Sequence, residues 1–157
     1  MKIHWEEIER YADIVAKKVL DSHYKFDIIV GIATSGLVPT TLVSKALGIK
    51  NVVTISASSY EGYKKGSLKF LNLPRIEYLK GVKNVLLVDD IVATGGTMEA
   101  VRNLFKNDFD VLDVKTSSLV VSERVCEKYP DFYGKSILRE EDDFIFFPWD
   151  KYEGFTE

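Results

Sequence analysis

The chain has 157 residues, of which 46% are hydrophobic, and carries a formal net charge of -3 at pH 7. This length suits one domain that buries about two-thirds of the surface of its unfolded chain. No run of basic residues suggests binding to nucleic acids or to anionic membranes, although a local basic patch for a phosphorylated substrate is compatible with the sequence. The single cysteine, Cys126, excludes an intramolecular disulfide framework and a zinc cluster. With no apolar run of membrane length and no basic, apolar leader, we expect a cytoplasmic protein.

The first predicted element is an amphipathic helix near the start of the chain. Its apolar residues recur at intervals of three and four, and charged residues occupy the other face. These apolar residues are Trp5, Ile8, Tyr11, Ala12, Val15, Ala16, Val19 and Leu20. We expect this helix to pack on a sheet.

Strands and helices then alternate. A short strand at 28–30 precedes a helix at 37–47, and a strand at 52–56 is followed by a long polar connection, 57–80. A further β-rich stretch covers 111–121. This order predicts an α/β fold with a mostly parallel, twisted sheet flanked by helices. Without internal repeats or linkers, residues 1–157 are expected to form a single domain.

The most informative stretch of the sequence covers residues 85–97, VLLVDDIVATGGT. Its first four residues are the apolar run of a buried parallel strand, so Asp89 and Asp90 are expected at the carboxyl end of that strand, where open α/β sheets bind ligands. Residues 93–97 offer backbone N–H groups and two hydroxyls without bulky side chains, and apolar residues follow at helical spacing. The pattern predicts a sugar-phosphate site at a helix N-terminus.

This stretch resembles the signature of the type I phosphoribosyltransferases, which bind 5-phosphoribosyl 1-diphosphate (PRPP). The resemblance implies that Asp89 and Asp90 hold the ribose hydroxyls and a hydrated Mg²⁺, the expected cofactor. It also assigns the 5′-phosphate to the loop that follows these acids. That loop consists of Ala93, Thr94, Gly95, Gly96 and Thr97. Dimers and tetramers are usual in the family, so a homodimer or homotetramer is expected.

A second phosphate-type turn follows the first strand, in the sequence GIATSGLVP at 31–39. In the family this turn binds the diphosphate and typically carries a basic residue followed by glycine. Here Thr34 and Ser35 stand at those positions, before Gly36. The resemblance therefore implies that amides and hydroxyls, rather than a cation, hold the diphosphate. A tight strand-to-helix turn with a hydroxyl cap is the alternative interpretation.

The polar connection at 57–80 is long enough to be functional. In the family a loop with a Ser-Tyr pair closes over the substrate, and Ser59 and Tyr60 match that pair. The resemblance implies a mobile lid that contributes these two residues to catalysis by excluding water.

An aromatic tail, FIFFPWD at 144–150, predicts a hood over the site within residues 123–157. The resemblance to the hypoxanthine, guanine and xanthine enzymes implies that Phe144 stacks on the purine, the Ile145 backbone reads its edge and Asp150 lies near its exocyclic group or the metal. The alternative is that the other aromatics of the tail serve only as core or as a dimer contact.

Two departures from the oxopurine pattern affect the choice of base. Ala93 stands where those enzymes usually have an aspartate near purine N7, as in the adenine enzymes. Ser122 stands where they have a lysine for the 6-oxygen, and Arg124 is a candidate substitute. The resemblance still favours a 6-oxopurine as substrate, giving the nucleoside monophosphate (IMP, GMP or the xanthine nucleotide) and diphosphate in purine salvage. An adenine phosphoribosyltransferase and a non-catalytic PRPP-sensing regulator are the alternatives.

Overall fold

In a computed structural model the chain forms three helices and six strands among its described residues, which are 1–61, 64–138 and 144–152. Only the backbone is described for residues 58–61 and 64–67. The helices are α1 (Trp5–Asp21), α2 (Leu37–Leu47) and α3 (Gly96–Asp108). The strands are β1 (Ile28–Ala33), β2 (Val52–Glu61), β3 (Lys64–Asn72), β4 (Asn84–Val92), β5 (Asp113–Ser122) and β6 (Phe132–Ile137). Two single 3-10 turns lie at Ile76–Leu79 and Asp150–Tyr152.

All six strands join one sheet in the order β3-β2-β1-β4-β5-β6. Only the β2–β3 pair is antiparallel. Helices α1 and α2 pack on one face, and α3 packs against β4 and β5 on the other. Alternate residues of each strand therefore enter different cores: Ile29 packs with α1 residues, whereas Val30 packs with Phe105 of α3. The expected α/β fold, mostly parallel and flanked by helices, is confirmed.

The order of the strands reverses between β1 and β4. From β1 the chain proceeds through α2 to β2 on one side, whereas β4 and β5 lie on the other. Pairing of β1 with β4 ends at Gly31 and Val88, but β4 stays paired with β5 as far as Val92. The two strands thus separate at Asp89. This is the point at which open α/β sheets bind ligands.

Three boundaries differ from the sequence-based expectation. The predicted connection at 57–80 is largely a hairpin, because β2 continues to Glu61 and β3 returns antiparallel to it. Residues 132–137, expected in the hood, are instead the edge strand β6. Strand β4 continues beyond the predicted apolar run to Val92, because β5 continues to pair with this segment, so Asp89 and Asp90 lie within the strand near its carboxyl end. Each difference arises from pairing with another strand, which local patterns do not report.

None of the helices in the described part of the chain combines the length and the apolar character that crossing a bilayer would need. The longest, α1, has 17 residues and carries charges along its exposed face. Its buried face packs on β5 and β6, as the amphipathic pattern predicted.

Candidate active site

Two adjacent carboxylates lie at the separation of β1 and β4. The backbone N–H of Asp90 donates to Asp89 Oδ1 at 2.9 Å, and that of Ile91 donates to Asp90 Oδ1 at 2.7 Å. Only 7% of Asp90 is exposed. These bonds fix both carboxyl groups with respect to the backbone of β4.

The two carboxyls resist ionisation because they are buried together. Burial, followed by the neighbouring charge of Asp90, raises the pKa of Asp89 well above its ordinary value of 3.8. Burial likewise raises the pKa of Asp90, to about 6, and the charge of Asp150 adds to this effect. The hydrogen bond from the Ile91 N–H partly opposes it. A bound cation would relieve the crowding of negative charge.

The expected phosphate loop forms the connection from β4 to α3. Gly95 caps α3 with a φ of +95°, a conformation that favours glycine. The Thr94 hydroxyl accepts a hydrogen bond from the Gly96 N–H at 3.3 Å. Because the first amides of a helix have no partner within it, the loop and the start of α3 present donors to an anion. A cavity of about 130 Å³ lies here, lined by Asp89 and residues 91–98.

The expected diphosphate loop lies directly against Asp89. A Cβ added to Gly36 would stand 2.4 Å from the Ile32 carbonyl oxygen and 3.0 Å from Asp89 Oδ1. The glycine therefore allows the β1–α2 turn to approach the carboxylate. The Gly36 N–H donates a hydrogen bond to the Ile32 carbonyl at 2.9 Å, within the same turn. The peptide bond between Ala33 and Thr34 is cis.

A larger cavity of about 450 Å³ connects this turn to the tail of the chain. Thr34 and Ser35 line it together with Trp149, Asp150 and Tyr152. No lysine or arginine belongs to the described lining of either this cavity or the phosphate cavity.

The tail residues 144–152 dock on the beginning of the chain. The Ile3 N–H donates to the Phe146 carbonyl at 2.9 Å, and the Phe146 N–H donates to the Met1 carbonyl at 2.8 Å. Phe147 is buried and stacks on Trp149, with ring centroids 4.9 Å apart. Asp150 Oδ2 accepts the Phe147 N–H at 2.7 Å. We call residues 144–152 the hood.

The structure brings together only part of the predicted base site. Asp150 faces the cavity beside Thr34 and Ser35. Phe144 is 72% exposed, and neither it nor Ile145 or Arg124 lines the two cavities described above. The side chains of Ser59 and Tyr60 lie outside what the structure describes, although their backbone is part of β2.

Two cavity residues were missed by the sequence reasoning. Trp149 and Tyr152 line the larger cavity, but the sequence reasoning assigned no ligand contact to either residue, and a core or dimer-contact role was the alternative for Trp149. A useful signal was present in the unbroken aromatic and apolar composition of 144–149, which is unusual for an exposed terminus.

The acidic residues suit a hydrated cation better than a direct protein cage. Among the described residues, no group of three or more His, Cys, Asp or Glu side chains is arranged to hold a metal ion. Mg²⁺ usually keeps several waters and takes one or two carboxylates plus substrate phosphates. The crowded, partly neutralised pair Asp89 and Asp90 fits that mode.

The fold is that of an α/β protein with two adjacent carboxylates and two small-residue turns at its switch point. A family model for the phosphoribosyl transferase domain matches residues 4–153, and the chain belongs to that family. It is 31% identical to the xanthine-guanine phosphoribosyltransferase of Cereibacter sphaeroides over 153 residues, 94% of this chain and 85% of that protein.

Solved structures agree with this assignment. The purine phosphoribosyltransferase from Pyrococcus horikoshii Ot3 is 27% identical, with a TM-score of 0.73 over 95% of this chain and 92% of that one. The xanthine-guanine-hypoxanthine phosphoribosyltransferase of Helicobacter pylori has a TM-score of 0.79 at 23% identity, over 94% and 92% of the two chains, and shows the shared fold. The predicted family is therefore confirmed.

Proposed function

We propose that this protein transfers the 5-phosphoribosyl group of PRPP to a 6-oxopurine, giving a nucleoside monophosphate and diphosphate in purine salvage. The observation that carries the proposal is the close approach of the Asp89 carboxylate to Gly36, where an added Cβ would stand 3.0 Å from Asp89 Oδ1. It places the acid pair of β4 directly beside the β1–α2 turn, so one extended ligand can reach a phosphate loop, a pair of carboxylates and a second anion-binding turn. PRPP has matching groups in that order.

In this proposal the phosphate loop, residues 93–97, binds the 5′-phosphate through backbone amides and hydroxyls. Asp89 and Asp90 accept hydrogen bonds from the ribose hydroxyls. Thr34, Ser35 and Gly36 hold the diphosphate. Because backbone dipoles are fixed before the substrate arrives, they stabilise the charge that develops on the leaving group without reorganisation.

The same acid pair would hold Mg²⁺ through water, with Asp150 nearby. When bound, Mg²⁺ supplies positive charge that neutralises the diphosphate and assists its departure. The raised pKa values of Asp89 and Asp90, caused mainly by burial and in part by neighbouring carboxylates, support this assignment, since a bound cation favours the ionised forms.

The reaction needs no covalent nucleophile from the protein. As the bond from ribose C1 to the diphosphate loosens, positive charge builds on the sugar, where the two carboxylates stabilise it. We assign water exclusion to the β2–β3 hairpin with Ser59 and Tyr60, acting as a lid. Asp90 or a water accepts the proton that the purine releases, a contribution of about two to four orders of magnitude in general base catalysis.

On the base side, we assign stacking to Phe144, edge recognition to the Ile145 backbone and contact with the exocyclic group to Asp150 and Arg124. The exposed ring of Phe144 supports this role, since a large apolar side chain left in solvent is available to a planar ligand. The xanthine-guanine specificity of the Cereibacter sphaeroides relative, at 31% identity, favours hypoxanthine, guanine or xanthine over adenine.

We also propose a homodimer or homotetramer and a cytoplasmic location. Exposed apolar residues such as Leu71, Ile76 and Tyr78 offer a surface for self-association. Cys126 is the one cysteine in the chain, so an oxidising compartment would give the protein no internal disulfide.

A steady-state assay of diphosphate release tests the proposal. Purified protein with PRPP and Mg²⁺ is supplied in turn with hypoxanthine, guanine, xanthine, adenine, uracil and orotate. We expect turnover with one or more of the first three. Turnover with adenine alone would instead identify an adenine enzyme, as Ala93 suggests. PRPP binding without turnover of any base would identify a PRPP sensor.

A further inference from the structure

The segment between β5 and β6, residues 123–131, contacts the phosphate loop. The N–H groups of Glu127 and Lys128 both donate to the Thr94 carbonyl, at 3.1 and 3.3 Å. Cys126, in the same segment, packs partly buried against the core that α3 contributes to. We call residues 123–131 the strap.

These two hydrogen bonds orient the peptide unit between Thr94 and Gly95. This peptide is trans, so its C=O and N–H point in opposite directions. Since the Thr94 carbonyl is held towards the strap, the Gly95 N–H is directed away from it. Gly95 also lines the 130 Å³ phosphate cavity. The strap thereby fixes the direction of one of the amides available to an anion.

The strap and the loop are in direct backbone contact as well. A Cβ added at Gly95 would lie 2.5 Å from the Lys128 carbonyl oxygen and 2.8 Å from Lys128 Cβ. No side chain fits between the two segments. A displacement of the strap is therefore transmitted directly to the loop.

Asp131 fixes the far end of the strap. Its Oδ2 accepts hydrogen bonds from the Thr116 N–H at 2.9 Å, from the Thr116 hydroxyl at 3.1 Å and from Arg102 Nη2 at 2.9 Å. Thr116 belongs to β5, and Arg102 belongs to α3, the helix that begins at the phosphate loop. One carboxylate thus connects the strap, the sheet and that helix.

We propose that the strap, anchored by Asp131, is a positioning element for the 5′-phosphate of PRPP. The inference rests on the proposed PRPP-binding function. Asp131 is a positioning residue, since it acts through Arg102 and through the strap, whose Glu127 and Lys128 N–H groups hold the Thr94 carbonyl. Residues 126–131 therefore belong to the phosphate side of the site, although the sequence placed residues from 123 onward in the hood.

Calorimetric titration of PRPP with Mg²⁺ into wild type, Asp131→Ala and Asp131→Asn tests this role. Loss of the anchor in Asp131→Ala is expected to weaken PRPP binding about five- to tenfold, because the phosphate would lose about one well-aligned hydrogen bond from the loop. Asp131→Asn keeps an oxygen acceptor for Thr116 and is expected to show a smaller loss. In steady state the KM for PRPP should rise by a similar factor, while the KM for the base stays unchanged.

Asp27→Ala is the matched control. Asp27 Oδ2 also accepts two backbone N–H groups, from Lys83 and Asn84 at 2.9 Å each, but it lies at the amino end of β1, away from the phosphate loop at the carboxyl end of β4. Its loss should lower the melting temperature without changing PRPP affinity. Equal weakening in Asp27→Ala and Asp131→Ala would overturn the positioning role, because general destabilisation would then explain both.

Two further outcomes are decisive. Wild-type affinity in Asp131→Ala, or parallel changes in the KM of both substrates, would refute the strap inference while leaving the proposed function intact. Absence of PRPP binding in the wild type would refute the proposed function and the inference with it. If Asp131→Ala does not fold, Arg102→Gln breaks the same anchor from α3: a two- to fivefold weakening supports the inference, and an unchanged affinity overturns it.

Discussion

The phosphate side and the base side of the site are assembled in different ways. The proposed phosphate side is one continuous stretch, from β4 through the loop into α3, and the groups that we propose to bind the ligand there are mainly backbone amides and two adjacent carboxylates. The base side is a tail segment that pairs with residues at the opposite end of the sequence. The first is determined by local sequence, whereas the second depends on a contact between distant segments. The two sides should therefore respond separately to mutation.

The largest effect is expected on the phosphate side. Replacing both Asp89 and Asp90 by asparagine removes the charges proposed to hold the ribose and the hydrated metal. We expect kcat/KM to fall at least about 100-fold, since hydrogen bonds that involve charged groups contribute about 1.5–3 kcal/mol each. Diphosphate release measured across PRPP concentrations checks this. Near-normal turnover with a melting temperature like that of wild type would contradict the assignment of the acid pair.

A smaller and one-sided effect is expected for Phe144→Ala. Loss of stacking, worth about 1–3 kcal/mol per base, should raise the KM of the base about tenfold and leave the KM of PRPP unchanged. Phe146→Ala is the matched control, because Phe146 lies two residues away and its ring faces the groove beside the beginning of the chain. Equal increases for both substrates in Phe144→Ala would show that the two sides are not separate.

The attachment of the hood is tested by Ile3→Ala. Ile3 is buried in the same cluster as Phe147, so its truncation should reduce the free energy of unfolding by about 2–4 kcal/mol. We expect the KM of the base to rise a few fold, with no change for PRPP. Leu20→Ala, at an exposed position of α1, should change the free energy of unfolding by no more than about 0.5 kcal/mol. It should leave the KM of the base unchanged. If the KM of PRPP also rises in Ile3→Ala, Ile3 supports the whole fold rather than the hood alone.

The smallest effect concerns the stability of the metal-free protein. Because the pKa of Asp90 is raised from 3.8 to about 6, the native state retains a proton between these pH values that the unfolded state has released. The contribution of Asp90 to stability therefore falls as pH rises from about 4 to 6 and is constant above that.

Replacing Asp90 by asparagine should remove this loss and stabilise the protein at pH 7 by about 1–3 kcal/mol. Urea unfolding of wild type and Asp90→Asn at about pH 4.5 and about pH 7, which lie on either side of the raised pKa, measures the difference in their free energies of unfolding. A variant that is less stable than wild type at pH 7 would contradict the raised pKa of Asp90 in its buried position.

The sequence predicted the parts of the molecule that local patterns control. The spacing of apolar residues located α1, and the pattern at 85–97 located β4, the phosphate loop and the start of α3. The bounds of α2 were predicted as they are found. In each of these cases a helix period, a strand run or a glycine-bearing turn specifies the backbone over a few residues.

The features that the sequence did not predict depend on distant partners. The connection predicted at 57–80 is largely the β2–β3 hairpin, because polar residues are also compatible with an edge strand. The residues of β6 were assigned to the hood because their own sequence does not indicate that they pair with β5 and pack against α1. The roles of Trp149 and Tyr152 depend on where the hood docks, which is set by pairing with residues 1–3. No local pattern contains that information.

The central claim is that PRPP is bound by the phosphate side without help from the stacking residue of the hood. Calorimetric titration of PRPP with Mg²⁺, without any base, into wild type, the Asp89→Asn/Asp90→Asn double variant and Phe144→Ala tests it most directly. We predict that wild type and Phe144→Ala bind PRPP with the same affinity and that the double variant shows a loss of at least about 100-fold. Loss of PRPP binding in Phe144→Ala, or its retention in the double variant, would contradict the account.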